Sequence, residues 1–295
     1  MINYLKYLYI FKIKNKILNL FWKTISYIYF HKKEARISEL IDENRRYLEN
    51  QGELITKKEY IKNNYGILEK KLEYINKPIH NRLCNFDLIV FLTNSIQKEK
   101  INYLEIGASV LKTFMIVENN LKDSKLIAFD INPIISKHEN KFDHRHSKNS
   151  NFRFSNGLKN KLFYFKGDLL DENDTTEFNK LVTENYDFIF SDALHTQYGV
   201  ETEYYSIIKN KLNDKFFIYY DDLDIKWDSF GVERGVVNIF NDLKKEKTNV
   251  NLYTFWIHGW IGQHENFHKN AIITNIDLTH LIKKYRLNLP FLKKY

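Results

Sequence analysis

Two short apolar runs that stop in carboxylates constrain this chain more than any other feature. The first reads Tyr186-Asp-Phe-Ile-Phe-Ser-Asp192-Ala-Leu-His195, and the second reads Phe216-Phe-Ile-Tyr-Tyr-Asp221-Asp222. Continuous β-branched and aromatic residues are the pattern of a strand buried on both faces, as in a parallel sheet. Asp192, His195, Asp221 and Asp222 then fall at the carboxyl ends of those strands, where open α/β sheets take their ligands. Three carboxylates converging there repel one another unless a cation lies between them, and hard oxygen ligands suit Mg²⁺, Mn²⁺ or Ca²⁺. Histidine is the side chain best suited to accept a proton near neutral pH. The pattern predicts metal-assisted chemistry.

The surrounding chain supports that placement. From Asn102 the sequence alternates between strand and helix patterns. Strands are expected at Asn102–Gly107, Leu126–Asp130, Leu162–Lys166, Phe188–Ser191 and Phe217–Tyr220, with helices near 109–120, 174–183, 197–212 and 232–246. Two further strands, near 251–257 and 270–275, read as an antiparallel pair. Such alternation predicts an α/β, Rossmann-like doubly wound sheet, mostly parallel, with a C-terminal antiparallel hairpin. Residues 1–98 are read as an N-terminal helical extension and 99–295 as the sheet domain. A hydrophobic content of 43% can fill such a core, which argues against disorder.

Three smaller motifs lie at earlier strand ends. Glu105-Ile-Gly107-Ala-Ser109 joins the first strand to its helix, where a glycine admits close backbone approach and the helix N-terminus favours anionic groups. Asp130 ends the next strand, 23 residues after Gly107, and an acid at that distance commonly holds ribose hydroxyls. Phe165-Lys-Gly167-Asp168 ends the third, placing Asp168 where it could meet an adenine amino group. Each is weak alone, but their order and spacing are fairly specific. Asp187, at the opposite end of its strand, is expected to pair locally. His138, His144 and His146 match no ligand spacing and are read as part of a solvated loop.

In this order the motifs resemble those of class I S-adenosylmethionine-dependent methyltransferases, over roughly residues 101–275. Asp192-Ala and Tyr-Asp221-Asp222 are similar to the metal-dependent O-methyltransferases acting on catechols and caffeoyl groups. Closer still are the sugar O-methyltransferases of macrolide pathways, with their Asp-x-x-His and paired acid. Phe230-Gly-Val-Glu-Arg resembles the next segment of that group. The resemblance implies S-adenosylmethionine as cofactor, bound by Glu105, Gly107, Ser109, Asp130 and Asp168. It implies a divalent cation, Mg²⁺ by preference, on Asp192, Asp221 and Asp222, and His195 as general base toward a hydroxyl of a sugar or other small alcohol. The chain departs from the family at Ser109 and Leu111, where second and third glycines are usual, so a crowded cofactor loop is expected.

Charge bears on partners. The net charge is +8, but residues 1–33 hold seven lysines and no acid, so the remainder sums to +1. A basic nucleic-acid groove, and with it an RNA methyltransferase, is therefore disfavoured. In residues 1–31, Lys12, Asn15, Lys16, Asn19, Lys23 and Ser26 form one helical stripe, opposite Ile13, Ile17, Leu20, Phe21, Ile25 and Ile28. Two readings stay open: a basic amphipathic helix on an anionic membrane surface, or a helix packed on the protein or a second subunit of a homo-oligomer. No uncharged run approaches the ~18 residues that span a bilayer. Cys84 is alone, which fits a reducing, cytoplasmic setting. The rival class is a non-catalytic membrane-surface protein that keeps a Rossmann-like core. His258, His264 and His268, with Trp256 and Trp260, form an aromatic and histidine-rich hairpin, for which lining an acceptor pocket and stacking at an exposed surface are equally open readings.

Overall fold

The computed structural model describes residues 37–51, 83–134, 136–139, 141–142, 152–156, 159–223, 231–259 and 267–295. The expectations for residues 1–31, for His144 and His146, for Phe230, and for Trp260 and His264 lie outside the described residues.

The described strands form one nine-stranded sheet of order β3-β4-β2-β1-β5-β6-β8-β7-β9. Its parallel centre consists of β1 (Asn102–Ile106), β2 (Lys125–Asp130), β4 (Lys161–Lys166), β5 (Tyr186–Ser191) and β6 (Leu212–Tyr220). β7 (Asn251–His258) and β8 (Phe267–Thr274) make the expected antiparallel hairpin, with β8 antiparallel to β6. β3 (Phe152–Asn156) adds an antiparallel edge to β4, and the short β9 (Lys293–Lys294) adds one to β7. The chain moves outward from β1 through β2 to β4, then returns to the other side of β1 with β5. The crevice between the carboxyl ends of β1 and β5 is thus the topological switch point.

Helices cover both faces. On one face α1 (Ser38–Gln51), α2 (Asn85–Ser95), α3 (Lys112–Asn120) and α8 (Leu278–Tyr285) share a core containing Ile41, Phe86, Leu88, Phe114, Ile116, Phe188 and Leu278. On the other, α5 (Glu172–Leu181), α6 (Gln197–Glu203) and α7 (Val232–Glu246) pack Phe178, Val200, Val236 and Ile239 against Ile106, Ile189 and Ile218. Between the faces lie strands whose residues are buried in alternation to both sides, which is why the runs 186–191 and 216–220 carry almost no polar residue. α6 passes into a π-helical turn at Tyr204–Ile208, and β6 begins at Leu212. The helix expected to reach 212 therefore stops early, and the strand takes in Asn213-Asp-Lys215, whose side chains lie at the partly exposed end of the sheet.

A buried ion pair fastens the N-terminal helices to this core. Arg45 on α1 donates through Nη2 to Asp87 Oδ2 (2.6 Å) and through Nη1 to Asp87 Oδ1 (2.9 Å), with both side chains at 2% exposure or less. Asp87 Oδ2 also accepts from the backbone N–H of Cys84 (2.9 Å), closing the first turn of α2. Asp187 pairs locally as expected: it is buried and accepts from Lys98 Nζ, Asn102 N (2.9 Å) and Asn213 Nδ2 (2.7 Å). His138 departs from its solvated-loop reading, because its side chain is fully buried in the four-residue helix α4 (Ser136–Glu139).

Candidate active site

β1 ends at Ile106, and Gly107 turns the chain with φ +84°. A Cβ added there would lie 2.2 Å from the carbonyl oxygen of Asp192 and 2.7 Å from the Ala193 nitrogen. The backbone that comes close to Gly107 is therefore the chain leaving β5. The crossing is held by Asp192 N donating to Ile106 O (2.9 Å).

Ser109 (φ 51°) and Leu111 (φ 63°) keep the left-handed backbone that glycines adopt readily. The expected crowding by Leu111 does not arise, because its side chain is fully buried in the α1–α2–α3 core. Leucine has no side-chain oxygen to cap α3, so Glu105 reaches up from β1 and accepts from Phe114 N–H. Tyr103 Oη donates to Glu105 Oε2 at 2.6 Å. Burial holds Glu105 well above the usual carboxylate range, opposed by the Tyr103 hydrogen bond and reinforced by the charges of Asp192 and Asp130. Its carboxyl is buried beneath the loop.

Asp130 binds the same loop. Its Oδ2 accepts from Ser109 N (2.6 Å) and its Oδ1 from Asn132 N (2.8 Å). Burial raises its pKa although these two hydrogen bonds and a third, from the Asn132 side chain, favour the charged form. Asp168 lies beyond the neighbouring strand β4, where its Oδ1 accepts from Leu170 N (2.9 Å) and its own N–H donates to Asp174 Oδ2 (2.8 Å). Beside these two acids stand exposed apolar side chains, Ile131 at 59% and Leu170 at 50%. Two such residues at adjacent strand ends offer an apolar surface next to hydrogen-bonding carboxylates.

Across the crevice the later strand ends converge. His195 Nε2 lies 3.2 Å from Asp192 Oδ1, and His195 Nδ1 lies 3.8 Å from Asp222 Oδ2. His268 Nδ1 bonds Asp222 Oδ1. Among the described residues the potential ligand atoms form two groups, each within 4.8 Å: Asp192 with His195 and Asp222, and Asp221 with Asp222 and His268. The expected single cluster of three acids is thus two overlapping groups that share Asp222. Asp222 has φ 51°, which turns it out of line with β6. Asp221 stays buried, its Oδ2 accepting from Asn85 Nδ2 (3.2 Å) and its Oδ1 from Asn270 Nδ2 and Asp222 N (3.0 Å for the latter).

The electrostatics reflect an unbalanced site. Burial, then the charges of Asp222 and Asp192, push Asp221 upward. Burial also raises Asp192, against its hydrogen bond to His195. Asp222 falls below the usual range because the charges and hydrogen bond of His268, with His195, outweigh its burial. Burial would lower His195, but the hydrogen bond to Asp192 and the charges of all three acids raise it to about 9. Below the cluster, burial raises Glu203 to about 8, and Ser191 Oγ donates to its Oε2.

Four of these side chains were not singled out by sequence reasoning as members of the site. Asn85 precedes the sheet and lies 136 residues from Asp221 in the chain. Asn270 and His268 share one face of β8, two residues apart, and only His268 carried a signal, as part of the histidine-rich hairpin. Glu203 reads in sequence as an ordinary helix-surface acid.

No family model matches the chain, and no curated protein matches it in sequence. Solved structures do. A magnesium protoporphyrin IX methyltransferase (ChlM) from Synechocystis PCC 6803 is 9% identical over 78% of this chain and 96% of its own, with a TM-score of 0.45. The plantazolicin methyltransferase BamL is 13% identical over 81% and 100%, with a TM-score of 0.43. A spermidine synthase from Thermotoga maritima is 11% identical over 70% and 68%, with a TM-score of 0.40. Likenesses of this size transfer no residue roles to this chain.

Proposed function

We propose that this protein is an S-adenosylmethionine-dependent O-methyltransferase that uses a divalent cation and acts on a hydroxyl of a sugar or other small alcohol. One observation carries the reading. The turn after β1 and the Asp192–His195–Asp222 cluster meet at a single crevice, the switch point of the sheet, with Gly107 and Asp192 in backbone contact.

In this reading Ser109 and the α3 N-terminus face the anionic end of the cofactor, Asp130 takes its ribose hydroxyls and Asp168 its adenine amino group. Ile131 and Leu170 supply the apolar surface against which a purine ring would lie. The residues present fit a cation: clustered carboxylates of which two are pushed upward in pKa, with oxygen and imidazole donors side by side. Asp192 and Asp222 would hold it, with Asp221 oriented behind them by Asn85 and Asn270. A cation there lowers the pKa of an acceptor hydroxyl. A cation offsetting the charge of the acids would free His195, partly exposed beside both, to take the proton that the hydroxyl loses, and the oxygen gains the methyl group as the methyl–sulfur bond breaks and the sulfonium leaves as a neutral thioether. The test is transfer of labelled methyl groups from S-adenosylmethionine to a panel of sugars and small alcohols. Transfer that a chelator abolishes and added Mg²⁺ or Mn²⁺ restores supports the reading, whereas transfer indifferent to chelator removes the cation from it.

A further inference from the structure

We propose that Glu203 is a positioning residue, which sets the spacing between Asp192 and His195 from beneath the turn that carries them. The proposal rests on the reading of Asp192 and His195 as cation ligand and base, and it adds the group that holds the two in place. Glu203 is the last residue of α6 and is fully buried. Its Oε2 accepts from Ser191 Oγ, and its carboxyl also accepts from the backbone N–H of Leu194. Ser191 immediately precedes Asp192, and Leu194 immediately precedes His195. One carboxyl thus ties down the chain just before each of the two site residues.

The remainder of the turn is built to pass that constraint on. Thr196 N–H donates to Leu194 O (2.8 Å), closing a three-residue turn with His195 at its centre. Thr196 Oγ1 in turn accepts from Gly199 N–H (2.9 Å) and caps α6. A Cβ on Gly199 would lie 2.4 Å from Leu194 Cβ and 2.8 Å from the Leu194 carbonyl oxygen, so the first turn of α6 is pressed against Leu194. Asp192 is fixed from the other side, where its N–H donates to Ile106 O (2.9 Å). Within this frame His195 Nε2 lies 3.2 Å from Asp192 Oδ1. A carboxyl is costly to bury, and both bonds that offset the cost at Glu203 go to the turn. A residue that only filled space under α6 would need no acceptor, which separates positioning from packing.

The experiment compares the full chain with Glu203→Leu, which fills similar space without an acceptor, and with Glu203→Gln, which keeps the acceptor oxygen. Circular dichroism establishes that each is folded. Long-range ¹H–¹⁵N spectra of the imidazole rings then report on His195, whose signals are assigned by their loss in His195→Gln. The expected result is that Glu203→Leu moves the His195 Nε2 signal toward that of an imidazole free in water, while Glu203→Gln keeps the parental signal. Ser191→Ala removes one of the two ties and should move the signal part of the way, and it decides the matter if Glu203→Leu does not fold. An unmoved His195 signal in folded Glu203→Leu or in Ser191→Ala would overturn the proposal, as would equal shifts in the Leu and Gln variants. In labelled methyl transfer, Glu203→Leu should lower kcat by roughly 10²-fold, the cost of a misplacement of about 1 Å, with KM for S-adenosylmethionine held. Parental kcat in that variant would also overturn it. The spectra need neither metal nor cofactor, so absence of transfer by the unsubstituted chain contradicts the proposed function and leaves the positioning role to be decided by His195.

Discussion

Gly107 and Asp192 compete for one point in space: a Cβ on the glycine would fall 2.2 Å from the aspartate's carbonyl oxygen. The loop after β1 and the acidic end of β5 are therefore one structural unit, and neither can shift without the other. Gly107 also has φ +84°, which costs a side-chain-bearing residue about 1–2 kcal/mol before any clash is counted.

Gly107→Ala should accordingly destabilise the protein by about 2–5 kcal/mol, combining that backbone cost with overpacking. Urea unfolding measures it. Ser109→Gly, at a position with φ 51° and room at the surface, should change stability by less than about 1 kcal/mol. Equal effects at the two positions would show that the crossing over Gly107 is not tight.

The ion pair Arg45–Asp87 reaches the site indirectly, since α2 carries both Asp87 and the Asn85 amide that holds Asp221. Asp87→Ala removes the carboxylate that balances a buried guanidinium and should cost about 3–5 kcal/mol. Denaturant midpoints of Asp87→Ala and of the double variant with Arg45→Met check this. The double variant should recover part of the loss, and a single variant as stable as the parent would mean the pair contributes nothing.

The two central strands were legible because a strand buried on both faces must be apolar throughout, and because carboxylates at 192, 221 and 222 mark where burial stops. The strand order, and with it the switch point between β1 and β5, came from the structure. β3 was not legible: Phe152-Arg-Phe-Ser alternates, but for so few residues within a polar stretch that it competes poorly with a loop. The glycine-like backbone at Ser109 and Leu111 was hidden because their residue types disfavour it. Asn85 and Asn270 were hidden for another reason, and His268 showed only as part of a histidine-rich hairpin. Sheet pairing brings them to Asp221 and Asp222 from distant parts of the chain, and β8 lies beside β6 only because the hairpin folds back.

Glu203 sets a pH dependence. Its pKa is raised by burial to about 8 in the folded protein, against roughly 4.3 in an unfolded chain. Between those values the folded state keeps a proton that the unfolded state has lost, so this group makes stability fall as pH rises through that window. Its contribution is complete below pH ~4 and lost above pH ~8. Glu203→Gln keeps an acceptor for Ser191 Oγ and should flatten the decline between pH 5.5 and 8.5 by a few kcal/mol, at about 1.4 kcal/mol per pKa unit. Parallel pH profiles for the two proteins, from urea midpoints, would contradict it.

Residues 1–31 predict a separate behaviour. With Lys12, Lys16 and Lys23 on one stripe and no acid among them, they should carry the chain onto vesicles containing anionic lipid and release it in high salt. No helix among the described residues is long and apolar enough to cross a membrane. Co-sedimentation that is equal for neutral and anionic vesicles, or absent from both, would assign the segment to packing on protein.

The central claim is that the crevice beside Gly107 binds S-adenosylmethionine, and calorimetric titration tests it most directly. The full chain should bind one molecule per site. Asp130→Ala should weaken binding by about 1–3 kcal/mol through unpaired ribose hydroxyls, and Ile131→Asp should weaken it by removing the apolar surface and placing a charge there. Circular dichroism must show both variants folded, since Asp130 also accepts from Ser109 and Asn132. Absence of binding to the unsubstituted chain at millimolar S-adenosylmethionine, or unchanged affinity in both folded variants, would contradict the account.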